Sequence, residues 1–200
     1  EADVRLGKTP EPDADLGAEM YLLTQASLEI AGMHQYEISN WAKPGHESTH
    51  NLTYWRGLPY LGVGPGAHSY LYGVGNTSQY GVRFANTKPP RSYIEKVQRW
   101  RSAGSVEAGS IALASATEYC ELIDRRTAMA ETMMMGLRLN PGVANNEFHA
   151  RFGEGITSAF AAPVKECIEL GLLEWESNAL RLTEDARLLG NEAFQRFLGN

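Results

Sequence analysis

Behind Asp13, a residue suited to capping a helix, Leu16, Met20, Leu23, Ser27 and Ile30 recur at three- and four-residue spacing until Gly32. That period predicts an amphipathic helix closed by a glycine turn. The QYEIS stretch within residues 34–39 predicts a short strand, so helix, glycine turn and strand follow in the order of a helix packed on a sheet. Residues 60–64 and 69–72 predict further strands, residues 73–81 supply turns, and VRFAN predicts another strand. Lys88, Pro89 and Pro90 interrupt the pattern, because consecutive prolines suit neither helix interiors nor central strands. A domain border is expected there, between residues 90 and 91.

Beyond it, residues 92–103 predict a short helix with Tyr93, Val97 and Trp100 on one face. Ser115 and Glu118 match a capping box. Tyr119, Leu122, Arg126, Met129, Met133 and Leu137 then continue at helical spacing to Pro141 and Gly142, which predicts one long buried helix. Residues 145–152 and 163–170 predict two shorter helices, the second stopped by Gly171. Strands at 172–175 and 180–182 flank a turn at Ser177 and Asn178, and Thr183, Glu184 and Asp185 are expected to start a terminal helix. Helix, hairpin and helix in that order resemble a winged-helix unit. A nucleic-acid role is disfavoured, since residues 157–200 hold seven acids and four bases and would repel a duplex.

Composition narrows the class. With 200 residues and 43% hydrophobic content the chain can build one large or two modest cores. A net charge of -6 and the lack of any basic run argue further against a sequence-nonspecific nucleic-acid binder. Two cysteines, Cys120 and Cys167, lie far apart, which disfavours a disulfide framework or a thiolate metal cluster and suits a cytoplasmic location. The sequence shows neither a run of about 18 apolar residues nor a signal-peptide pattern at its start. The first residue is Glu1, and the opening stretch reads as a loop before a helix, so the expectation is a piece of a longer parent.

Candidate chemistry concentrates in residues 44–70, PGHESTHNLTYWRGLPYLGVGPGAHSY, which hold three of the five histidines. His46, Glu47 and His50 spell HExxH, the zinc-hydrolase spacing that turns two imidazoles to one face of a helix. Pro44 and Gly45 stand immediately before it, which places the N-cap at Ser48 or Thr49 and takes His46 off that face. Thr53 and Arg56 occupy the positions where an extended metzincin pattern needs Gly and His. On a helix begun near Ser48, His50 shares a face with Tyr54 and Asn51 with Trp55. An imidazole beside flat aromatic walls suits a haem, with Arg56 available to a propionate. The plainer alternative is that Tyr54 and Trp55 are core and His50 a hydrogen-bonded spacer. Gly62, Gly64 and Gly66 let backbone approach a ligand, although the loop matches neither GxGxxG nor a P-loop. His68 reads first as a filled core position, and Met133, Met134 and Met135 as core filling.

Several linked strings, YEISNWAKPG, SxHNxxYW and YLGVGPGAHS, together resemble the oxygen-independent coproporphyrinogen III oxidase family of radical SAM proteins. The HNxxYW motif, here His50 to Trp55, is similar to that of the family's haem chaperone branch, HemW, and the similarity extends through EYCELIDRRTAMAETMMMGLRLNPGV and the tail. HExxH is then coincidental. The resemblance implies an α/β (α+β) fold: a terminal helix and strands of a partial TIM-like radical SAM barrel over residues 1–90, then a mostly helical C-terminal domain over residues 91–200 with the winged-helix-like unit. It also implies that a [4Fe-4S] cluster and S-adenosylmethionine belong to the full-length parent, whose CxxxCxxC motif this chain lacks, so the fragment alone should be inactive.

In the chaperone branch the implied cargo is haem, the implied recipients are haem-requiring respiratory enzymes, and the implied iron ligand is His50. The haem candidates are His50, Asn51, Tyr54, Trp55 and Arg56, while Gly62, Gly64 and Gly66 would lie near the S-adenosylmethionine end of the barrel. Two alternatives stand beside this. One is the oxidase itself, decarboxylating porphyrinogen propionates in porphyrin biosynthesis; the other is a structural lid with no ligand of its own. Self-association of the fragment is expected through a barrel edge left without its missing half.

Overall fold

The computed structural model describes residues 10, 13–72, 80–102 and 116–198. The capped helix of the opening pattern is α1, Ala14–Ile30, with the Asp13 carboxylate accepting from the amides of Asp15 and Leu16 and Gly32 in the left-handed region at φ 73°. Its inward face differs from the expected one. Leu16, Met20, Leu23 and Ile30 are exposed, and the partly buried positions are Ala18, Tyr21, Gln25 and Leu28. Tyr21 anchors that face: its hydroxyl donates to the Ile38 carbonyl at 3.1 Å and its ring lies 5.8 Å from that of Trp41.

The strand expected at 34–39 is a hairpin. β1, His34–Glu37, pairs antiparallel with β2, Asn40–Ala42. The turn is organised by the buried Glu37 carboxylate, which accepts from the Ser39 amide and the Asn40 side chain. α2, Thr49–Trp55, follows, with the Ser48 hydroxyl accepting from the Asn51 amide.

A three-stranded antiparallel sheet comes next, in the order β3, His68–Leu71; β4, Val82–Asn86; and β5, Thr117–Leu122. The strand expected at 60–64 shrinks to a single bridge between Tyr60 and Tyr70, because Gly62 donates its amide to the Ser69 hydroxyl rather than to a neighbouring strand. Residues 73–79 of the expected turn region lie outside the described residues. α3, Pro90–Ser102, starts at the proline pair; the Trp100 side chain and Ala103 lie outside the described residues. Strand pairing crosses the prolines, since β4 precedes them and β5 follows.

The long helix expected after Glu118 is in fact a strand followed by a shorter helix. Residues 117–122 pair with β4, and α4 is Arg125–Gly136, capped by the Asp124 carboxylate on the Thr127 amide at 2.9 Å. Glu118 instead accepts from the Lys88 amide, and Ser115 lies outside the described residues. Tyr119 and Leu122 held the helical period only by coincidence and are exposed, whereas Met129, Met133 and Leu137 are buried as expected.

β6, Val143–Ala144, and α5, Asn145–Phe152, lead through the one-turn α6, Ile156–Ala159, to α7, Ala161–Glu169. The hairpin of β7, Leu173–Glu176, and β8, Ala179–Leu182, turns at Ser177 and pairs with β6 in the order β6, β8, β7. This is the expected winged-helix-like unit. The terminal helix starts later than expected, with a 3-10 turn at Arg187–Leu189 before α8, Gly190–Phe197. Thr183 does not cap it; its hydroxyl donates to the Gly171 carbonyl at 2.7 Å and its amide to Leu172, fastening the end of β8.

The core lies in this second half, around Ile123, Met133, Leu137, Phe148, Ile156, Cys167, Leu173 and Leu180. The N-terminal hairpin is tied to it by backbone. Ile38 donates its amide to Arg138 and Asn140 to Tyr36, while Arg187 reaches the Gln35 and Asn140 side-chain carbonyls from the far end of the chain.

A candidate ligand site between an aromatic helix and the C-terminal helices

The Ser48 cap fixes the phase of α2. His46 precedes the helix and His50 lies in its first turn, so the HExxH imidazoles do not share a helical face. Instead the exposed His50 ring meets Tyr54 edge to face, with centroids 4.8 Å apart and planes at 88°. Tyr54 continues to Tyr60 at 4.7 Å, Tyr60 to Tyr70 at 6.4 Å and Tyr70 to Tyr72 at 5.8 Å. One histidine and four tyrosines thus form a chain of rings that runs from the open face of α2 to β3.

Two cavities flank this chain. A smaller one of about 270 Å³ is walled by Tyr54, Tyr60, Tyr70, Met134 and Met135 and carries Arg83, Glu131 and Arg151. A larger one of about 760 Å³ is walled by Trp55, Tyr72, Leu139, Val143 and Phe148, with Arg56 and Arg151 on it. Gly57, Leu58, Thr132 and Arg151 belong to both. Apolar walls with a few convergent polar groups are the usual make-up of a small-molecule site.

The charges inside are partly committed. Arg83 donates to both oxygens of Glu131, at 2.8 and 2.7 Å, and to Glu121 at 3.3 Å. Burial pushes the Tyr60 and Tyr70 phenols up from their ordinary range; the Arg151 guanidinium opposes this at Tyr70 without reversing it, so both rings stay neutral at physiological pH. Tyr70 donates its proton to the Tyr80 carbonyl at 2.7 Å, leaving its oxygen to accept from Arg151.

Of the residues singled out in the sequence, His50 and Tyr54 touch, and Tyr54 walls the smaller cavity while Trp55 and Arg56 line the larger. His50 itself stands beside the cavities rather than in their walls. Trp55 lies 5.1 Å from the Arg138 guanidinium, and its buried indole N–H has no hydrogen-bond partner. Asn51 points elsewhere, its amide 3.4 Å from the Tyr36 hydroxyl.

The glycine loop is a braced element. Asn86 donates to the carbonyls of Gly64 at 2.9 Å and Gly62 at 3.4 Å, and a Cβ on Gly62 would stand 2.1 Å from the His68 carbonyl oxygen. His68 is exposed, not a core position; the pleat turns its neighbour Ser69 inward. Met133 is core, whereas Met134 and Met135 wall the smaller cavity. Sequence reading missed Arg83, Glu131 and Arg151; only the alternation of VRFAN hinted at an arginine set among inward neighbours.

Residues 123–189 match the HemN C-terminal domain. A heme chaperone HemW from Bacillus subtilis is 35% identical over 197 residues, covering 96% of this chain and 45% of that protein. The chain belongs to the HemW/HemN family. A Mycobacterium tuberculosis heme chaperone HemW is 33% identical over 198 residues, covering 98% of the chain and 43% of its own length. The mouse mitochondrial radical S-adenosyl methionine domain-containing protein 1 is 33% identical over 184 residues, covering 90% and 38%.

Among solved structures, the Escherichia coli coproporphyrinogen III oxidase HemN, a radical SAM enzyme, superposes with a TM-score of 0.64 over 94% of this chain and 42% of that one. At 16% identity that likeness shows the α/β fold and no more. The chain thus spans less than half the length of these HemW/HemN relatives. Its own residues do not fit an iron–sulfur cluster: Cys120 is exposed, Cys167 is buried, and a cluster needs at least three thiolates brought together. Among the described residues no helix is long and apolar enough to cross a membrane.

Proposed function

We propose that this chain forms the haem-contacting part of a haem chaperone that binds haem and passes it to haem-requiring enzymes. The observation that carries the reading is the exposed His50 ring, held edge-on by Tyr54 at the head of an aromatic chain that opens onto two apolar cavities. His50 supplies an imidazole nitrogen to the iron, and Tyr54 fixes the plane from which it is offered. Tyr54 and Trp55 offer apolar surface to the porphyrin, Tyr54 on the smaller cavity and Trp55 on the larger. Arg56, at the C-terminal end of α2, pairs with a propionate. Asn51 acts through the helix, tying it to Tyr36.

The names of the relatives support the chaperone reading over the oxidase one, since the curated HemW proteins match at 28–35% identity and the oxidase only at 16%. Titrating the chain with haemin should give a saturable Soret band. His50→Ala should weaken binding by at least about tenfold and alter the band, as loss of a ligand group does. Equal affinity and an unchanged spectrum in His50→Ala would remove the ligand assignment; an absence of saturable binding to the unmodified chain would remove the haem reading.

A further inference from the structure

Arg151 is the cation of the site that the HNxxYW segment does not account for. It stands on α5, nearly a hundred residues after α2, yet its guanidinium lines both cavities at their junction. It donates to the Tyr70 hydroxyl oxygen at 3.0 Å and to the Thr132 hydroxyl oxygen at 3.4 Å, and lies 5.5 Å from the Tyr72 ring and 5.1 Å from that of Phe152. All of these partners are neutral. The ion pairs of the described residues engage Arg83, Arg91, Arg125, Lys165, Arg181 and Arg196, and Arg151 is in none of them.

A guanidinium held by two hydroxyls and two ring faces is fixed in place with its charge unanswered. It keeps N–H donors in a rigid fork suited to a carboxylate. Gly57 lies beside it: a Cβ there would stand 3.5 Å from an Arg151 nitrogen, ordinary van der Waals contact.

We infer that Arg151 receives a carboxylate of the bound ligand, an inference that rests on the haem reading of the same site. The larger cavity then offers two cations, Arg56 and Arg151, to the two propionates of a haem. Along α2, His50 and Trp55 are separated by roughly 7 to 8 Å of helix, and Gly57, beside Arg151, follows just past the helix end. The acid on this cavity's lining, Glu147, is exposed on α5 and pairs with neither arginine.

The test compares haemin with its dimethyl ester, in which both carboxylates are blocked. The unmodified chain should bind the diester at least about tenfold more weakly, the size expected when a charge-assisted contact is lost. Arg151→Gln should bind haemin about tenfold more weakly while keeping the Soret position set by His50, and should lose most of its preference for haemin over the diester. Arg151→Lys should fall between, because it keeps the charge without the fork.

Thermal unfolding of each variant tests that it folds; if Arg151→Gln does not, the diester comparison on the unmodified chain decides alone. Equal binding of haemin and diester would overturn the carboxylate contact. So would wild-type haemin affinity in a folded Arg151→Gln whose His50→Ala counterpart still loses the spectrum, and in that outcome the haem reading survives. No saturable haemin binding to the unmodified chain would overturn both.

Discussion

Gly62 shows how narrowly one position can be set. The loop it begins is held down by Asn86 and by its own amide on Ser69, and a Cβ there would collide with backbone rather than with a side chain able to move. Gly62→Ala should therefore lower unfolding stability by about 1–3 kcal/mol, the usual cost of overpacking a fixed site. Urea denaturation measures it, and an unchanged midpoint would show that the loop yields. The sequence displayed this glycine without disclosing its role, because a glycine needed for a ligand and one needed to clear a carbonyl look alike. His50 is the opposite case. Its ring contact with Tyr54 followed from four-residue spacing on a capped helix, and both the cap and the spacing are local.

At the scale of elements, Asp124 decides where α4 begins. The Thr127 amide, and after it the Thr127 hydroxyl, hold the Asp124 carboxyl below the usual carboxylate range. A depressed folded value means that the cap's contribution is full above the unfolded value of 3.8 and fades as pH falls through the lowered folded one. Asp124→Ala should thus melt below the unmodified chain at neutral pH, and the gap should close as pH drops below about 4. A gap that stays constant with pH would exclude the charged cap. The sequence signal favoured Ser115 and Glu118 instead, since a capping box is a pattern of residue types that any turn can satisfy. What made residues 117–122 a strand was β4, more than thirty residues earlier, and no window of local periodicity contains both.

For the whole molecule, the notable surface is α1. It buries no residue fully, and Leu16, Met20, Leu23 and Ile30 are 54%, 60%, 68% and 90% exposed. An apolar face of that extent drives association. The isolated chain is expected to self-associate, and Leu23→Glu with Ile30→Lys should reduce it. Light scattering reads the outcome, and a monodisperse monomer at micromolar concentration would count against the expectation. The same helix explains a misjudged face: apolar residues lie on more than one side of it, and the contacts available within this chain, Ile38 and Trp41, draw in Tyr21 and its neighbours rather than the stripe from Leu16 to Ile30.

The sequence alone determined what depends on neighbours along the chain. The Asp13 and Ser48 caps, the glycine turn after α1, the hairpin at Ser177 and the joint placement of His50 and Tyr54 each rest on a few adjacent residues, whose hydrogen bonds and rotamers are satisfied locally. Tertiary structure decided everything that needed distant segments to meet. It bound β5 to β4, turned α1 onto another face, and brought Arg151 from α5 to Tyr70 on β3, 81 residues away, and up against Gly57 at the end of α2. The physical reason is that a cavity and an unpaired charge are properties of the space between elements, and that space exists only once the core has set their positions.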